Sequence, residues 1–306
     1  PVEVLVVDAR RGGPALRPPP VAGAVPRVLA GHGRGPAAAR NVGWRAARHP
    51  WVSFLDDDVV PEPGWFDRLA ADLAVGDDVA GVQGRVRVPL PAHRRPTDWE
   101  RATAGLARAS WITADMAYRR RALAAVGGFD ERLPRAFRED AELAYRVRRA
   151  GWRLVRGERV VTHPVRPEGP WVSLRAQRGN ADDALLRRMY GRRWHELLAV
   201  PAGRRHRHAL GSAAAGCALL AAAAAVVLRR RGRPPGAARA VAAGAAATWL
   251  AGTAEFALER VLPGPADPGE VTVMAVTSAL IPPLAVGHWL RGWWAGRGVR
   301  AVAAPP

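Results

Sequence analysis

Three long apolar runs fill most of the C-terminal third of the chain, and they limit its possible folds more than any other feature. Two of them, Ala209–Leu228 and Val271–Leu290, contain no Asp, Glu or Arg. About 20 apolar residues in a helix cross the hydrocarbon core of a bilayer, where only helices and closed barrels satisfy their own backbone hydrogen bonds. An alanine-rich helical hairpin buried in a soluble protein is the alternative. The pattern predicts a membrane-anchoring region at 201–306, with helices near 209–228, 237–257 and 271–290.

The charge balance narrows the possible partners. The chain has 46 basic and 27 acidic residues, a formal net charge of +19, and no lysine. A basic surface attracts anionic lipid headgroups and nucleotide phosphates. The arginines are scattered rather than gathered with aromatic side chains on one stripe, which argues against a nucleic-acid partner. Arginines flank the first apolar run on both sides, so the positive-inside rule does not fix its orientation.

The first 200 residues mix apolar and charged positions as a soluble domain does. Candidate strands alternate with candidate helices, which predicts an α/β fold with a mainly parallel sheet. In such sheets ligands bind beyond the carboxyl ends of the strands, where Asp8 and the run Asp56–Asp58 lie. Further along, the pattern predicts two short strands at 153–156 and 159–162. It also predicts one amphipathic helix over 174–190, suited to a membrane surface.

Three consecutive carboxylates, Asp56–Asp58, follow the apolar strand Trp51–Leu55. Adjacent like charges repel, so such a run is stable only when it is solvated or neutralised by a cation. Oxygen ligands suit Mg²⁺ or Mn²⁺, which prefer to bridge one or two carboxylates to the phosphates of a substrate. A solvated acidic turn is the alternative for this segment alone.

A glycine-containing loop, Gly33–Gly35, leads into a helix predicted to begin at Pro36. Backbone N–H groups at such a helix start bind phosphate, and Arg40 and Asn41 lie about one turn further on. In isolation, an ordinary loop and helix with a surface arginine is the favoured interpretation of this segment.

These segments, taken in order, resemble family 2 glycosyltransferases of the GT-A fold. The resemblance covers residues 1–200, and by the family's layout the first strand and helix of the fold would be missing. It rests on four segments: Ala39-Arg40-Asn41 with Gly43; the strand ending in Asp56 and Asp58, followed by Pro63-Gly64-Trp65; Met116–Arg120 with Gly127–Glu131; and Arg138–Arg146 with Gly151.

The resemblance implies a role for each matching position. Asp140 would be the general base, with Glu139 beside it, although acidic residues at this position also complement a helix dipole. The implied donor-binding residues are Asp8, Arg40, Asn41, Asp56 and Asp57. The implied ligands of Mg²⁺ or Mn²⁺ are Asp56, Asp58 and His163. The implied acceptor-side residues are Asp115, Gly128, Phe129 and Asp130.

The implied activity is metal-dependent, inverting transfer of a sugar from a nucleotide-sugar donor. With the apolar runs, it predicts a multi-pass cell-membrane protein with a cytoplasmic catalytic domain. The acceptor would be lipid-linked or a polysaccharide, in cell-envelope glycan biosynthesis. The alternative is a catalytically inactive membrane scaffold that retains the glycosyltransferase fold.

Overall fold

The computed structural model describes residues 2–21 and 23–302 and contains an α/β domain followed by three long helices. The strands are β1 (Leu5–Asp8), β2 (Arg27–Ala30), β3 (Trp51–Leu55), β4 (Val60–Pro61), β5 (Val79–Arg87), β6 (Asp115–Arg119) and β7 (Arg153–Thr162). The helices of the domain are α1 (Pro36–Ala46), α2 (Trp65–Asp72), α3 (Asp98–Ala104), α4 (Arg120–Val126), α5 (Glu139–Arg149), α6 (Val172–Ala176), α7 (Asn180–Tyr190) and α8 (Trp194–Leu197). The long helices are α9 (Arg205–Arg230), α10 (Gly236–Val261) and α11 (Pro268–Ala295).

The strands form a parallel pair, β1–β2, and a five-stranded sheet in the order β3-β6-β5-β7-β4. Within the larger sheet β5 and β7 are parallel neighbours, and the other neighbouring pairs are antiparallel. The α/β class is confirmed, but this sheet is mixed rather than mainly parallel. The reason is that β6 lies between β3 and β5 and runs against both, which strand–helix alternation along a sequence does not reveal.

An aromatic cluster behind the end of β3 forms the centre of the core. Phe54 meets Phe129 edge to face at 5.3 Å between ring centroids and Tyr118 at 6.4 Å. Edge-to-face pairs at this distance add to the stabilisation from burial. Leu123 and Leu143, both fully buried, close the cluster from α4 and α5. The cluster fixes the end of β3, and with it the acidic run, relative to the start of α5.

Strand β7 is continuous, so the prediction of two short strands at 153–156 and 159–162 is wrong. Its pairing with β5 shifts register between Gln83 and Arg85. The irregularity turns Arg159 into the interior, where its side chain has no exposed surface. A glycine is needed opposite it, because a Cβ on Gly84 would lie 3.0 Å from Arg159 Cγ and only 2.2 Å from Asp115 Oδ2. The bulge therefore accommodates the buried charge of Arg159, and the strand continues through it.

The single amphipathic helix predicted over 174–190 is also wrong. The segment contains α6, a 3₁₀ turn at 177–179, and α7. The break falls where the backbone passes the Phe137 ring, 2.8 Å from a Cβ built on Gly179. Helix α7 buries Ala184, Leu186 and Met189 in the domain. This part of the chain is therefore core rather than membrane surface.

Helices α9, α10 and α11 are each long and apolar enough to cross a membrane. Arg204 and Arg207 at the start of α9 pair with Glu255 and Glu259 near the end of α10, so these helices form a hairpin with a charged base.

The charged base of the hairpin is tied to the α/β domain by Arg260 of α10, which is 7% exposed. Its guanidinium donates to Asp98 of α3 at 2.9 Å, to Thr277 at 2.8 Å and to Ser278 at 3.1 Å, the last two on α11. One arginine thus joins the domain to two of the long helices.

Candidate functional site

The guanidinium of Arg40 connects two of the predicted motifs. Arg40 lies on α1, and its side chain is 13% exposed. It donates to Asp56 Oδ1 at the end of β3 at 2.8 Å and to Glu139 Oε1 at the start of α5 at 2.6 Å. Charge-assisted bonds of this length are the strong ones. The structure therefore brings together three predicted site residues that are up to 99 positions apart.

A second contact lies beside the first. His163, which follows β7, has Nε2 3.5 Å from Asp58 Oδ2. Arg166 approaches the same carboxylate at 3.6 Å and Asp57 at 3.4 Å. Asp57 itself is 95% exposed and makes no closer ion pair within the described residues. The sequence reasoning missed Arg166, although a basic side chain three positions after His163 was a signal that could have been found.

The acidic run suits a divalent ion only in part. Among the described residues, no group of three or more His, Cys, Asp or Glu side chains is arranged to hold a metal. Asp58 and His163 offer one oxygen and one nitrogen ligand, while Asp56 is bound to Arg40. A two-ligand protein site fits Mg²⁺ or Mn²⁺, which usually complete their coordination with substrate phosphates and water.

The two acidic residues at the start of α5 differ in environment. Glu139 is 2% exposed, with Oε1 bound to Arg40 and Oε2 buried without a hydrogen-bond partner. Asp140 is partly exposed and accepts a hydrogen bond from the Ala141 N–H at 2.7 Å. Burial raises the pKa of both carboxyls. The positive charge of Arg40 lowers the pKa of each, but by less than burial raises it. A raised pKa suits a carboxylate that must take up a proton.

Thr113 is a further residue that sequence reasoning missed. It is 2% exposed, and its backbone hydrogen bond lowers the pKa of Asp140, opposing the dominant effect of burial. The segment before β6 therefore contacts Asp140 through a backbone group. A backbone contact does not depend on the residue type, so the sequence does not reveal it.

Asn41 was expected to bind the donor, but its side chain is fully used inside the protein. Its amide nitrogen donates to Phe129 O and to Glu131 Oε1, each at 2.9 Å. Its oxygen accepts from the Phe129 N–H at 2.9 Å and from Trp44 Nε1 at 2.8 Å. All four bonding positions of the amide are occupied. Asn41 thus positions the 127–131 loop rather than facing a ligand.

Two of the expected acceptor-side residues are buried in the structure. Phe129 is 3% exposed and belongs to the aromatic core. Asp115 is fully buried, with Oδ1 bound to Arg159 at 2.7 Å and Oδ2 bound to Trp65 Nε1 at 2.8 Å. Neither side chain is free to touch an acceptor. Asp115 instead neutralises the arginine that the β7 bulge turns inward.

Two further predicted carboxylates are each paired with a neighbouring arginine. Asp130 is held by Arg132 at 2.6 Å. Asp8, at the end of β1, forms an ion pair with Arg10 at 2.8 Å, and these bonds lower its pKa to about 2. No described contact joins Asp8 to Arg40 or to the acidic run.

Gly128→Ala is expected to destabilise the domain well beyond Gly127→Ala. Both glycines have φ near +77°, so each substitution carries about 1–2 kcal/mol of left-handed strain. A Cβ on Gly128 would lie 2.4 Å from Asn41 Oδ1 and 2.5 Å from Trp44 Nε1, whereas nothing lies within 4 Å of one on Gly127. Overpacking adds about 1–3 kcal/mol at Gly128 alone. Thermal unfolding of both variants measures the difference, and equal losses would contradict the steric role of Gly128.

Comparison with known proteins finds relatives for part of the domain that carries this site. Residues 26–127 match the family described as glycosyl transferase family 2. This segment of the chain is therefore similar to a family 2 glycosyltransferase domain. A curated relative, the pre-mycofactocin glycosyltransferase of Mycobacterium tuberculosis, is 32% identical over 136 residues, which is 40% of this chain and 28% of that protein. The chain thus spans under a third of the length of the curated relatives it matches.

One of the similar solved structures shows the same fold. Mannosyltransferase PcManGT from Pyrobaculum calidifontis, in complex with GDP-Man and Mn²⁺, is 17% identical with a TM-score of 0.51, over 94% of this chain and 77% of that one. Glucosyl-3-phosphoglycerate synthase from M. tuberculosis, in complex with Mn²⁺, UDP-glucose and glycerol 3-phosphate, is 15% identical with a TM-score of 0.36, over 58% and 63% of the two chains. The family match confirms the resemblance to family 2 glycosyltransferases over residues 26–127, and the mannosyltransferase structure confirms the GT-A fold.

Proposed function

We propose that the family 2 domain transfers a sugar, with inversion, from a nucleotide-sugar donor to a hydroxyl of a membrane-associated acceptor. The observation that carries the proposal is the Arg40 bridge. It connects the acidic run after β3, at 2.8 Å, with the start of α5, at 2.6 Å. A single rigid group thus sets the distance between the residues proposed for donor binding and those proposed for catalysis.

Asp140 acts in this scheme as the general base. Its carboxylate takes the proton of the acceptor hydroxyl as the hydroxyl oxygen bonds to the anomeric carbon. The bond from that carbon to the diphosphate breaks at the same time, and the diphosphate leaves with the electron pair. Glu139 is fully buried against Arg40, so it holds the arginine in place rather than meeting the acceptor.

Asp58 and His163 are the side chains that would hold Mg²⁺ or Mn²⁺ together with the donor phosphates. A bound ion of this kind stabilises negative charge on a leaving diphosphate. Arg166 lies 3.6 Å from Asp58. From this position its positive charge would also attract the donor phosphates.

The acceptor is proposed to approach from the membrane side. A cavity of about 510 Å³ lies between α3, the segment after His163 and the first turns of α11, and Arg166 and Met274 both line it. It therefore extends from the proposed site to a helix of the apolar region. The M. tuberculosis relative is named for pre-mycofactocin, which gives a second acceptor class to test. The domain is proposed to face the cytoplasm at the cell membrane and to act in envelope glycan synthesis.

Thermal unfolding with UDP-, GDP- and dTDP-sugars, with and without Mn²⁺, tests the donor proposal in the full-length protein. We expect one nucleotide class to stabilise the protein only with Mn²⁺, by about 2.7 kcal/mol at a ligand concentration 100 times Kd. Transfer of radiolabelled sugar from that donor to membrane lipids or to added soluble acceptors then identifies the acceptor class. If no nucleotide sugar binds, the chain is a scaffold that retains the fold without the activity.

A further inference from the structure

We infer that α11 is not a third membrane span but lies along the membrane surface, between the α/β domain and the bilayer. Only α9 and α10 then cross the bilayer. The segment after α11 lies on the same side of the bilayer as the catalytic domain. The inference rests on the membrane attachment in the proposed function, and it does not depend on the transfer reaction.

Both ends of α11 contact the same soluble domain. At its start, Glu270 Oε1 accepts a hydrogen bond from the Asp98 N–H of α3 at 2.9 Å. Near its end, Trp293 O accepts from Arg188 of α7 at 2.8 Å. At Gly292 the helix passes so close to α7 that a Cβ would lie 2.3 Å from Ala181 O.

The length of α11 makes these two contacts incompatible with a span. Its 28 residues extend about 42 Å at about 1.5 Å per residue, and a span would place its ends on opposite sides of a hydrocarbon core about 30 Å thick. Its neighbour α7 carries Asp182, Asp183, Arg187 and Arg188, which are costly in lipid. A helix that follows such a surface from end to end stays outside the hydrocarbon core.

The two faces of α11 match an interfacial position. The face toward the domain is buried and includes Met274, Ile281 and Ala285. On the opposite face, the exposed large apolar side chains fall within about 120° of one another at about 100° per residue. These are Val276, Leu280, Leu284, Leu290 and Trp294. No Asp, Glu or Arg occurs from 271 to 290, so this face is suited to the acyl boundary of a bilayer.

The α9–α10 hairpin differs from α11 in burial. In α11, 33% of the most apolar stretch is buried against protein, compared with 6% in α9 and 0% in α10. Leu219 and Leu220, in the middle of α9, are 73% and 75% exposed. The hairpin thus leaves the domain with apolar side chains on all sides, as lipid-crossing helices do.

A basic cavity marks the level of the lipid headgroups. It has a volume of about 680 Å³ and lies between α7 and the last turns of α11, where Arg178 and Arg291 line it. Both arginines are exposed, and within the described residues neither has an ion-pair partner. Unpaired arginines beside an apolar face attract anionic headgroups, and tryptophans such as the exposed Trp294 prefer that level of the membrane.

Cysteine labelling in intact cells tests the inference. The single native cysteine is removed by Cys217→Ala, and one cysteine is then introduced by Asp77→Cys, Arg233→Cys or Gly298→Cys; these positions lie in the domain, in the hairpin turn and after α11. A membrane-impermeant maleimide is applied before and after permeabilisation. We expect the cysteines at 77 and 298 to label under the same condition and the cysteine at 233 under the other. Labelling of 298 together with 233 would overturn the inference.

A nitroxide on Leu280→Cys, compared with one on Leu220→Cys as the control, gives an independent measurement of depth. We expect Leu280→Cys at about 5–10 Å below the headgroups and Leu220→Cys near the centre of the bilayer. Equal depths at the two positions would show that α11 crosses. Recovery of the protein from the soluble fraction would instead overturn the membrane attachment itself, whatever its transfer activity.

Discussion

Asp140→Asn is expected to lower the turnover of sugar transfer by about 10²–10⁴-fold, the usual effect of removing a general base. Asparagine keeps the shape of the side chain and the hydrogen bond from Ala141, but it cannot take up the acceptor proton. Donor affinity should change little, because Arg40 and Asp56 remain paired. The measurements are kcat with saturating donor and the Kd of the nucleotide sugar.

Glu139→Gln is the matched comparison for that variant. Because Glu139 holds Arg40 at 2.6 Å, its loss should weaken donor binding and stability together rather than kcat alone. An inactive Glu139→Gln with normal donor affinity, beside a fully active Asp140→Asn, would make Glu139 the base.

Asp58→Ala is expected to remove the Mn²⁺-dependent part of donor binding. Charge stabilisation by a bound ion is worth several kcal/mol, so the Kd of the nucleotide sugar in Mn²⁺ should rise about 100-fold or more. Calorimetric titration with and without Mn²⁺ measures the change.

Asp57→Ala is the control for Asp58→Ala, since it removes the same charge one position away. Asp57 is 95% exposed, and among residues 2–21 and 23–302 its ion pair is with Arg166, at 3.4 Å. Binding in the Asp57 variant should stay within a few-fold of the native protein. If Asp58→Ala keeps its Mn²⁺ response, the ion is held elsewhere.

Sequence pattern predicted the elements around the site better than it predicted which side chains face it. The helix start at Pro36, the strand ending at Leu55 and the helix start at Glu139 are all observed. Motif order placed Arg40, Asp56 and Glu139 in one family site, and the structure brings them into contact. Periodicity and turn residues are local, so they define where such elements begin.

The errors came from interactions between distant residues. Asp115 was assigned to the acceptor side from the resemblance, but it pairs with Arg159, 44 positions later. Phe129 was assigned with its loop, although its ring packs on Phe54. The break predicted between residues 156 and 159 does not occur, because the strand continues through a bulge. The local sequence does not reveal any of these pairings.

The position of Arg260 constrains the order in which the protein is assembled. An unpaired arginine near the end of α10 would oppose its entry into lipid, and the partner that neutralises it, Asp98, lies 162 positions earlier in the chain. Because the ribosome makes Asp98 first, the α/β domain can fold before α10 emerges. Asp98 can then receive Arg260 as soon as α10 has been made. Thr277 and Ser278 are made last, so Arg260 gains its full set of partners only after α11 has been synthesised.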